Sequence, residues 1–413
     1  MRITSTFILL LVFVSESMGQ KKSTTPYFPE AGHWEHKSPS EFNMDASKIG
    51  DAIQFAKDNE SKNPRNLEVA HYQTFGKEPF GDGIGPFAER GDPTGIIIKN
   101  GYIIATWGDP NRVDMTFSVT KSFLSSVVGV AFDKGIIKSV DDTVYKFMAP
   151  VNVYGLDQKA QRGSTIGQPT LLDLFPTEHD KKITWNTMLR QTSDWEGTLW
   201  GKPEWADRPS TNPSEWTTRK RNIPGSVYEY NDVRVNALAL AALNMFRRPL
   251  PQVLKEMIMD PIGASQTWRW LGYENSWVII DGQLIQAVGG GGHWGGGMFI
   301  NAMDMGRFGY LTLNRGKWKN NQLLSDKWVS MALTPTSAQP TYGFMNWFLN
   351  TDKKYLPGAP AEAYAHIGNG TNMIYVDPVN NLVIVARWID NGALDGFVSR
   401  VLASIKTEES PKR

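Results

Sequence analysis

The stretch TFSVTKSFLSSVVGVAFDKG (residues 116–135) decides the fold, because its composition predicts a buried helix. The predicted helix runs from Ser118 to Lys134, and Gly135 provides its C-terminal stop. Apolar residues occupy every face of this helix, which is typical of a helix in the middle of a larger protein. Lys121 is the one charge among the central residues, and a buried lysine needs a partner or must lose its proton.

Ser118 and Lys121 are three residues apart, so a helix places the hydroxyl and the amine on one face. Ser118 also falls in the first turn, where free backbone N–H groups stabilise negative charge. A desolvated lysine can accept a serine proton and thereby activate a nucleophile. An S-x-x-K match alone also fits a buried helix with a capping serine. The apolar surroundings of Lys121 favour the catalytic interpretation.

Residues 1–19 have the pattern of a secretory signal peptide. Arg2 provides a positive charge, residues 7–14 form an apolar run, and cleavage is expected near Gly19. The run is too short to span a membrane. The chain has no cysteine, which excludes disulfides and a lipid anchor on cysteine. We therefore expect an exported protein, periplasmic or extracellular, that is held together by core packing.

The composition is that of a globular protein with a large core. The chain has 413 residues, of which 41% are hydrophobic, and its net charge of +1 gives no sign of a nucleic-acid partner. Six histidines are scattered, and the one close pair, His33 and His36, has no accompanying ligand motif. We expect neither a metal nor another cofactor. The sequence gives no indication of the oligomeric state.

The order of predicted elements divides the chain into an arm, a sheet domain and an insertion. Residues 20–44 are predicted to be an N-terminal arm. Strands are predicted in residues 45–137, around an Asn100-Gly101 hairpin turn, and again in residues 338–413. Residues 138–337 are predicted to be a mainly helical insertion. Both ends of the chain therefore contribute to one antiparallel sheet, which indicates an α+β fold.

This order of elements, together with the motif Thr116-Phe-Ser-Val-Thr-Lys-Ser122, resembles the serine β-lactamase and penicillin-recognising superfamily. The similarity is greatest to its class C-like branch, which includes esterases and hydrolases of 6-aminohexanoate oligomers. Residues 184–193 (TWNTMLRQTS) add to the resemblance. It implies a β-lactamase/transpeptidase-like fold, in which a central antiparallel sheet is flanked by helices and the active site lies between sheet and insertion.

A second family motif, Y-x-N after a Pro-Gly turn, is matched by PGSVYEYND at residues 224–232. The resemblance implies that Tyr230 is the catalytic tyrosine, which relays a proton between Ser118, Lys121 and the leaving group. Tyr228 is a weaker alternative for this role. Asp232 stands where the family usually has Asn, and it either caps the following helix or pairs with Lys121.

A third motif, YAHIGNG at residues 364–370, fits where β-lactamases carry K-T-G. His366 replaces the lysine, as in many esterase-like members, and this argues against efficient recognition of a substrate carboxylate. Gly368 allows the substrate to approach the strand. By resemblance, the backbone N–H groups of Asn369 and Ser118 form the oxyanion hole.

Two further segments are candidates for the pocket wall. In GGGGHWGGG (residues 289–297) the glycines predict close backbone packing, and His293 and Trp294 are candidate substrate contacts. In a second loop, Trp195 is a candidate for an aromatic rim, together with the nearby side chains Glu196, Trp200 and Trp205.

These observations lead us to expect a secreted serine hydrolase that cleaves a small-molecule ester or amide through an acyl-enzyme on Ser118. A β-lactamase or D-Ala-D-Ala carboxypeptidase is the alternative within the same chemistry. An inactive homologue that binds or senses a ligand is the alternative from another class.

Overall fold

The computed structural model describes residues 26–154 and 171–406. The predicted signal peptide, the first residues of the predicted arm and residues 155–170 of the predicted insertion lie outside the described residues. Within the described ranges, no helix combines the length and the apolar composition needed to cross a bilayer.

The described residues form an α+β structure of antiparallel sheets and helices, as the sequence predicts. In chain order the strands are Thr94–Lys99 (β1), Tyr102–Trp107 (β2), Asp114–Met115 (β3), Val151–Tyr154 (β4), Leu171–Leu172 (β5), Thr198–Leu199 (β6), Lys202–Pro203 (β7), Arg269–Ile280 (β8), Gln283–Val288 (β9), Gly297–Ile300 (β10), Lys317–Trp318 (β11), Asn321–Gln322 (β12), Phe348–Leu349 (β13), Tyr364–Gly368 (β14), Asn372–Asp377 (β15) and Leu382–Arg387 (β16). The α-helices are Ala46–Asp58 (α1), Leu67–Gln73 (α2), Thr120–Asp133 (α3), Trp185–Leu189 (α4), Asp232–Phe246 (α5), Leu250–Leu254 (α6), Ala302–Leu313 (α7), Asp326–Ala332 (α8) and Leu394–Ala403 (α9).

The central sheet joins the two ends of the chain. Its strand order is β13-β14-β15-β16-β1-β2, and every neighbouring pair is antiparallel. The β1–β2 hairpin turns at Asn100 and Gly101, whose φ angles of 53° and 88° are those that such a turn requires. The C-terminal strand β16 pairs with β1, so Thr94 lies opposite Arg387.

Both faces of the central sheet are covered, which explains the uninterrupted apolar runs of its strands. Ile96 and Ile98 of β1 contribute to the core cluster on the side of α7, whereas Ile97 contributes to the cluster on the side of α1 and α9. Successive side chains of a strand point to opposite faces, so a strand in the middle of such a sheet must be apolar throughout.

Helix α3 is the predicted buried helix. A 3-10 turn at Phe117–Val119 leads into it, and Gly135, with a φ of 72°, follows its end. Every residue from Thr120 to Ala131 is buried, because α5, α6 and α8 all contact this helix. The helix therefore has no face on which a charged lysine could reach water.

The region 138–337 contains helices and, in addition, most of a second antiparallel sheet that the sequence analysis did not predict; strand β3, which precedes this region, completes the sheet. Its strand order is β3-β10-β8-β4-β5, and β9 pairs with β8. Strand β8 lacks a regular alternation, since its register on β9 shifts between Gly272 and Trp277. This sheet positions the site, because β10 follows the glycine-rich loop, and the Thr116 N–H donates to the Met298 carbonyl at 2.9 Å.

Arg387 ties the two sheets together behind the Ser118 turn. Its side chain is buried on β16 of the central sheet and donates to the carbonyl oxygens of Met115 and Ile300, which lie on β3 and β10. The guanidinium also donates to Asn372 Oδ1 at 2.7 Å. A planar donor with several N–H groups can satisfy these acceptors simultaneously.

Candidate active site

Ser118 lies in a strained turn directly before α3. The preceding residue, Phe117, has a φ of 46°, a left-handed conformation that is costly for a bulky side chain. The Phe117 ring is buried in an apolar cluster that includes Met115 and Phe299, and this packing holds the turn in place. The turn leaves the Ser118 side chain only partly buried, at the wall of a pocket.

Lys121 is bound on one side to Ser118 and on the other to Asp232. Its Nζ lies 2.7 Å from Ser118 Oγ, as the spacing of three residues predicts, and 2.7 Å from Asp232 Oδ1. The Lys121 side chain is 0% exposed, so the carboxylate is the partner that its charge requires. The cap of α5 is Asn231, whose side chain accepts from the Arg234 N–H at 3.0 Å.

A second cation, Arg208, lies beside this ion pair, and the sequence analysis did not identify it. Its Nη2 is 3.2 Å from Asp232 Oδ2, and its Nη1 is 2.6 Å from Asp207 Oδ1. Burial opposes ionisation of Asp232, but the charges of Lys121 and Arg208 outweigh it and hold the pKa of that carboxyl well below its usual range. Burial and the neighbouring Asp232 charge raise the pKa of Asp207 to about 8. Asp232 is therefore the ionised member of this pair at neutral pH.

Tyr230 lies between the two cations. Lys121 Nζ and Arg208 Cζ are each 5.1 Å from the centre of its ring, and Tyr230 and Ser118 both line the pocket. Burial and the charge of Asp232 raise the pKa of Tyr230, so the resting phenol is neutral. Tyr228, the weaker candidate, lies outside the pocket lining, with its ring 5.1 Å from that of Tyr342.

His293 closes the buried side of the pocket. Its Nδ1 lies 3.2 Å from Asp232 Oδ2, and its ring stacks on Phe75 at 4.3 Å. Burial lowers the pKa of His293 to about 4, so the ring is neutral at pH 7. The loop also uses its glycines for close packing, because a Cβ on Gly291 would lie 2.1 Å from the Phe117 carbonyl oxygen. The loop therefore packs closely as predicted, and His293 lines the pocket whereas Trp294 does not.

Strand β14 brings its C-terminal end against the Ser118 turn. A Cβ on Gly368 would lie 2.1 Å from the Thr116 carbonyl oxygen and 3.1 Å from the Ser118 backbone nitrogen. The adjacent Asn369 is exposed and lines the pocket. Only glycine at position 368 allows the strand to come this close to the turn. The backbone of Gly368 and Asn369 therefore lies beside the backbone of Ser118, the candidate nucleophile.

His366 points away from the pocket, which differs from its expected role as a substrate contact. Its side chain is 0% exposed, its Nδ1 lies 2.8 Å from Ser122 Oγ on α3, and its ring meets that of Trp347 edge-on at 4.9 Å. Burial lowers the pKa of His366 to about 3, so it is a neutral core side chain. Alternation along β14 explains this position, because Gly368 and His366 share the face that packs on α3.

Trp195 and Trp294 do not form the aromatic rim that the sequence suggested. Both are buried, and the Trp195 Nε1–H donates to the Leu174 carbonyl at 2.6 Å. Large aromatic side chains gain most by burial in a core, and these two do so. The aromatic lining of the pocket comes from other residues, namely Phe75, Phe117, Tyr230 and Phe348.

The pocket has a volume of about 420 Å³, and Ser118 lies in its wall. It is lined by residues of β13 and β14 in the central sheet, by the first residue of α5 and by loops. Arg208, Asp232 and His293 lie on one side, and Gly368 and Asn369 lie on the other. A volume of this size can admit a small organic substrate.

Among the described residues, Glu78, Asp207 and His293 place potential metal-ligating atoms within 4.8 Å of one another. Two of these groups already have partners, since Asp207 pairs with the Arg208 guanidinium and His293 contacts Asp232. A neighbouring guanidinium disfavours a divalent cation at this position. The expectation that the chemistry needs no metal remains a prediction.

Curated relatives match parts of the chain. One relative is a protein of Escherichia coli O157:H7 that is provisionally named a D-alanyl-D-alanine carboxypeptidase. The chain is 25% identical to it over 197 residues, which are 39% of this chain and 45% of the relative. It is 32% identical over 92 residues to the N-acetylmuramyl-L-alanine amidase of Bacillus subtilis (strain 168), over 21% of each chain. The chain thus spans less than half the length of these relatives.

Solved structures share the fold over most of the chain. EstCE1, a hydrolase with promiscuous acyltransferase activity, superposes with a TM-score of 0.52 and 14% identity, over 87% of this chain and 98% of that one. SurE with D-Leu gives a TM-score of 0.53 and 11% identity, over 87% and 76%. The sequence profile of the Beta-lactamase family matches residues 96–388. This profile covers more than half of the chain, and the described residues have antiparallel sheets and helices. The chain therefore belongs to the β-lactamase family, whose members are generally hydrolases.

Proposed function

We propose that this protein is a serine hydrolase that cleaves an ester or amide bond through an acyl-enzyme on Ser118. The observation that carries this proposal is the 2.7 Å contact between Lys121 Nζ and Ser118 Oγ at the wall of the pocket. Tyr230 lines the pocket with the same serine, and its interaction with Ser118 opposes the rise of its pKa. A hydroxyl that contacts a buried amine and lies near a phenol has the surroundings of an activated nucleophile.

In the acylation step, Ser118 Oγ attacks the substrate carbonyl carbon, and the carbonyl electrons move onto its oxygen. Backbone N–H groups of Ser118 and Asn369 stabilise this oxyanion. The serine proton passes to the Lys121–Tyr230 pair, which then donates it to the leaving alcohol or amine as its bond to carbon breaks. In deacylation, water attacks the acyl carbon and gives a proton to the same pair, which returns a proton to Ser118 Oγ as the bond between Oγ and the acyl carbon breaks and the acid product leaves.

The resting charges determine how this proton transfer depends on pH. Lys121 forms an ion pair with Asp232, and Tyr230 is neutral because burial raises its pKa. Neither group accepts the serine proton in that state, so one of them must first lose a proton. Arg208 and Lys121 both lie beside the Tyr230 ring and stabilise its anion relative to the neutral phenol.

An ester or amide substrate is favoured over a substrate with a terminal carboxylate. His366 is neutral and buried, and the Nη1 and Nη2 atoms of Arg208 already contact Asp207 and Asp232. The cation that remains is Lys62, which is exposed at the rim of the pocket. A β-lactamase or D-Ala-D-Ala carboxypeptidase activity is therefore our second candidate, supported by the partial match to the relative from Escherichia coli.

Export of the protein is also part of this proposal. It rests on the signal-like sequence of residues 1–19, with its basic start and short apolar run. When the full sequence is expressed, we expect the protein in a periplasmic or culture fraction. N-terminal sequencing of that protein should show the loss of about 19 residues.

The decisive experiment is intact mass spectrometry after incubation with a fluorophosphonate probe. We expect one adduct on the wild-type protein and none on Ser118→Ala. Ser126→Ala is a matched control on the same helix, because its buried hydroxyl bonds the Ser122 carbonyl rather than Lys121, and it should be labelled like the wild type.

A folded wild-type protein that forms no adduct would contradict the hydrolase and favour a binding or sensing homologue. If the adduct forms, short esters, amides and a chromogenic cephalosporin can be compared as substrates. Faster turnover of the cephalosporin than of every ester and amide would favour the second candidate.

A further inference from the structure

An apolar cavity of about 330 Å³ lies beside the catalytic pocket, at the edge of the central sheet. We call it the side groove and define it by six of its lining residues, Thr341, Phe348, Leu349, Tyr355, Ala365 and Ile367. It lies on β13, β14 and the loop that joins them. None of the proposed catalytic steps uses this cavity.

The side groove is continuous with the catalytic pocket. Phe348 and Ile367 line both cavities, so the groove and the catalytic pocket meet at these two side chains. A further link is the Tyr355 hydroxyl, which lies 3.0 Å from Oδ1 of Asn391, a residue of the catalytic pocket. A substrate whose carbonyl reaches Ser118 can therefore extend past Ile367 into the groove.

The lining of the groove suits an uncharged, apolar group. Among its lining residues, the charged side chains are Asp352 and Lys354, which lie 3.6 Å apart as an ion pair. The Lys354 side chain is 85% exposed, so its charge faces water rather than the groove. The ring of Tyr355, at 44% exposure, leaves apolar surface that a ligand could cover.

We propose that the side groove is a substrate subsite that takes an alkyl or aryl group next to the scissile ester or amide. This inference rests on the proposed function and names its substrate class: esters or amides with an extended apolar part. Transfer of such a group from water to an apolar wall adds binding free energy at a distance from the reacting atoms. A short acetyl ester cannot gain this contribution.

Two series of esters test the proposal with the full chain. In the first, the acyl part of p-nitrophenyl esters lengthens from acetate to octanoate; in the second, acetate esters carry alcohols from methyl to naphthyl. We expect kcat/KM to rise at least about tenfold along one series. The series that rises identifies whether the acyl part or the leaving group occupies the groove.

Variants connect this preference to the groove. Thr341→Trp fills the cavity from its partly exposed side, and Tyr355→Ala removes its exposed wall. Each should reduce the ratio of kcat/KM for the longest and shortest esters to within about threefold of one. Val379→Trp is the matched control, because Val379 is 60% exposed at the turn between β15 and β16, and it should keep the wild-type ratio.

The outcomes separate this inference from the proposed function. A fluorophosphonate adduct on Ser118 with flat activity along both series would overturn the subsite and leave the hydrolase intact. If both groove variants are folded and keep the wild-type ratio of kcat/KM for the longest and shortest esters, the subsite proposal is also overturned. No adduct and no turnover of any ester would overturn both proposals.

Discussion

Asp232 controls the charge of the site, because its carboxylate pairs with the buried Lys121. We expect Asp232→Asn to lower kcat/KM for an ester by about tenfold or more, since the buried Lys121 ammonium loses the anion that holds it beside Ser118. The variant should also be less stable by about 3 kcal/mol, because Lys121 and Arg208 lose an anionic partner.

The comparison for this variant is Asp304→Asn, another buried carboxyl that contacts Ser265 and not the site. Its kcat/KM should stay close to that of the wild type. An Asp232→Asn variant with the kcat/KM and the stability of the wild type would contradict this assignment of charge.

Some residues of the site could be predicted from the sequence, and others could not. Ser118 and Lys121 are close in the chain, so helix geometry predicts their contact. Arg208 carries no local signal, because tertiary folding brings its loop against Asp232. His366 was expected in the pocket from its motif, but alternation along the strand turns its ring into the core.

At the scale of elements, the contact between β14 and the Ser118 turn depends on one missing side chain. Gly368→Ala would place a Cβ 2.1 Å from the Thr116 carbonyl oxygen, so the strand must move away from the turn. We expect kcat/KM to fall about 100-fold or more, because a shift of about 1 Å disturbs the oxyanion site. Ester turnover and thermal unfolding of the variant would measure both effects.

Gly50→Ala is the matched control for this substitution. Gly50 is exposed in α1, and an added Cβ would meet nothing within 4 Å. Alanine is a better helix former by about 1 kcal/mol, so this variant should be at least as stable as the wild type and equally active. A fully active Gly368→Ala variant would contradict the close packing of β14 on the turn.

The elements that the sequence predicted are those with strong local patterns. The Asn100-Gly101 hairpin and the apolar helix α3 each have such a pattern, and both form. Strand β8 was missed because Glu274, Asn275 and Ser276 interrupt its apolar residues. Strands were also predicted in residues 338–413, but before β14 this region forms only the short β13.

For the whole molecule, buried neutral histidines predict sensitivity to acid. Burial lowers the pKa of His293 to about 4 and that of His366 to about 3, whereas an unfolded histidine titrates near 6.5. Between about pH 6.5 and pH 4 these two histidines therefore bind more protons in the unfolded chain than in the native one. Their contribution to the free energy of unfolding should fall in this range as pH decreases, by up to about 1.4 kcal/mol per pH unit for each histidine, whereas the raised pKa of Asp207 acts in the opposite direction.

Urea unfolding between pH 4 and pH 7 would measure this dependence. His366→Gln should have a smaller slope of unfolding free energy against pH than the wild type. His33→Gln, at an exposed position, should keep the wild-type slope. Equal slopes for all three proteins would contradict the neutral, buried state of His366.

The pairing of β1 with β16 has a consequence for the order in which a growing polypeptide can fold. During synthesis the hairpin of β1 and β2 emerges long before β16, the strand that covers the open edge of β1. Until then β1 exposes an apolar edge that can join another chain. A premature stop codon after Asn369 but before residue 382 would remove β16 and with it Arg387. Such a product would contain every proposed catalytic residue but would lack the side chain that ties the two sheets together behind Ser118.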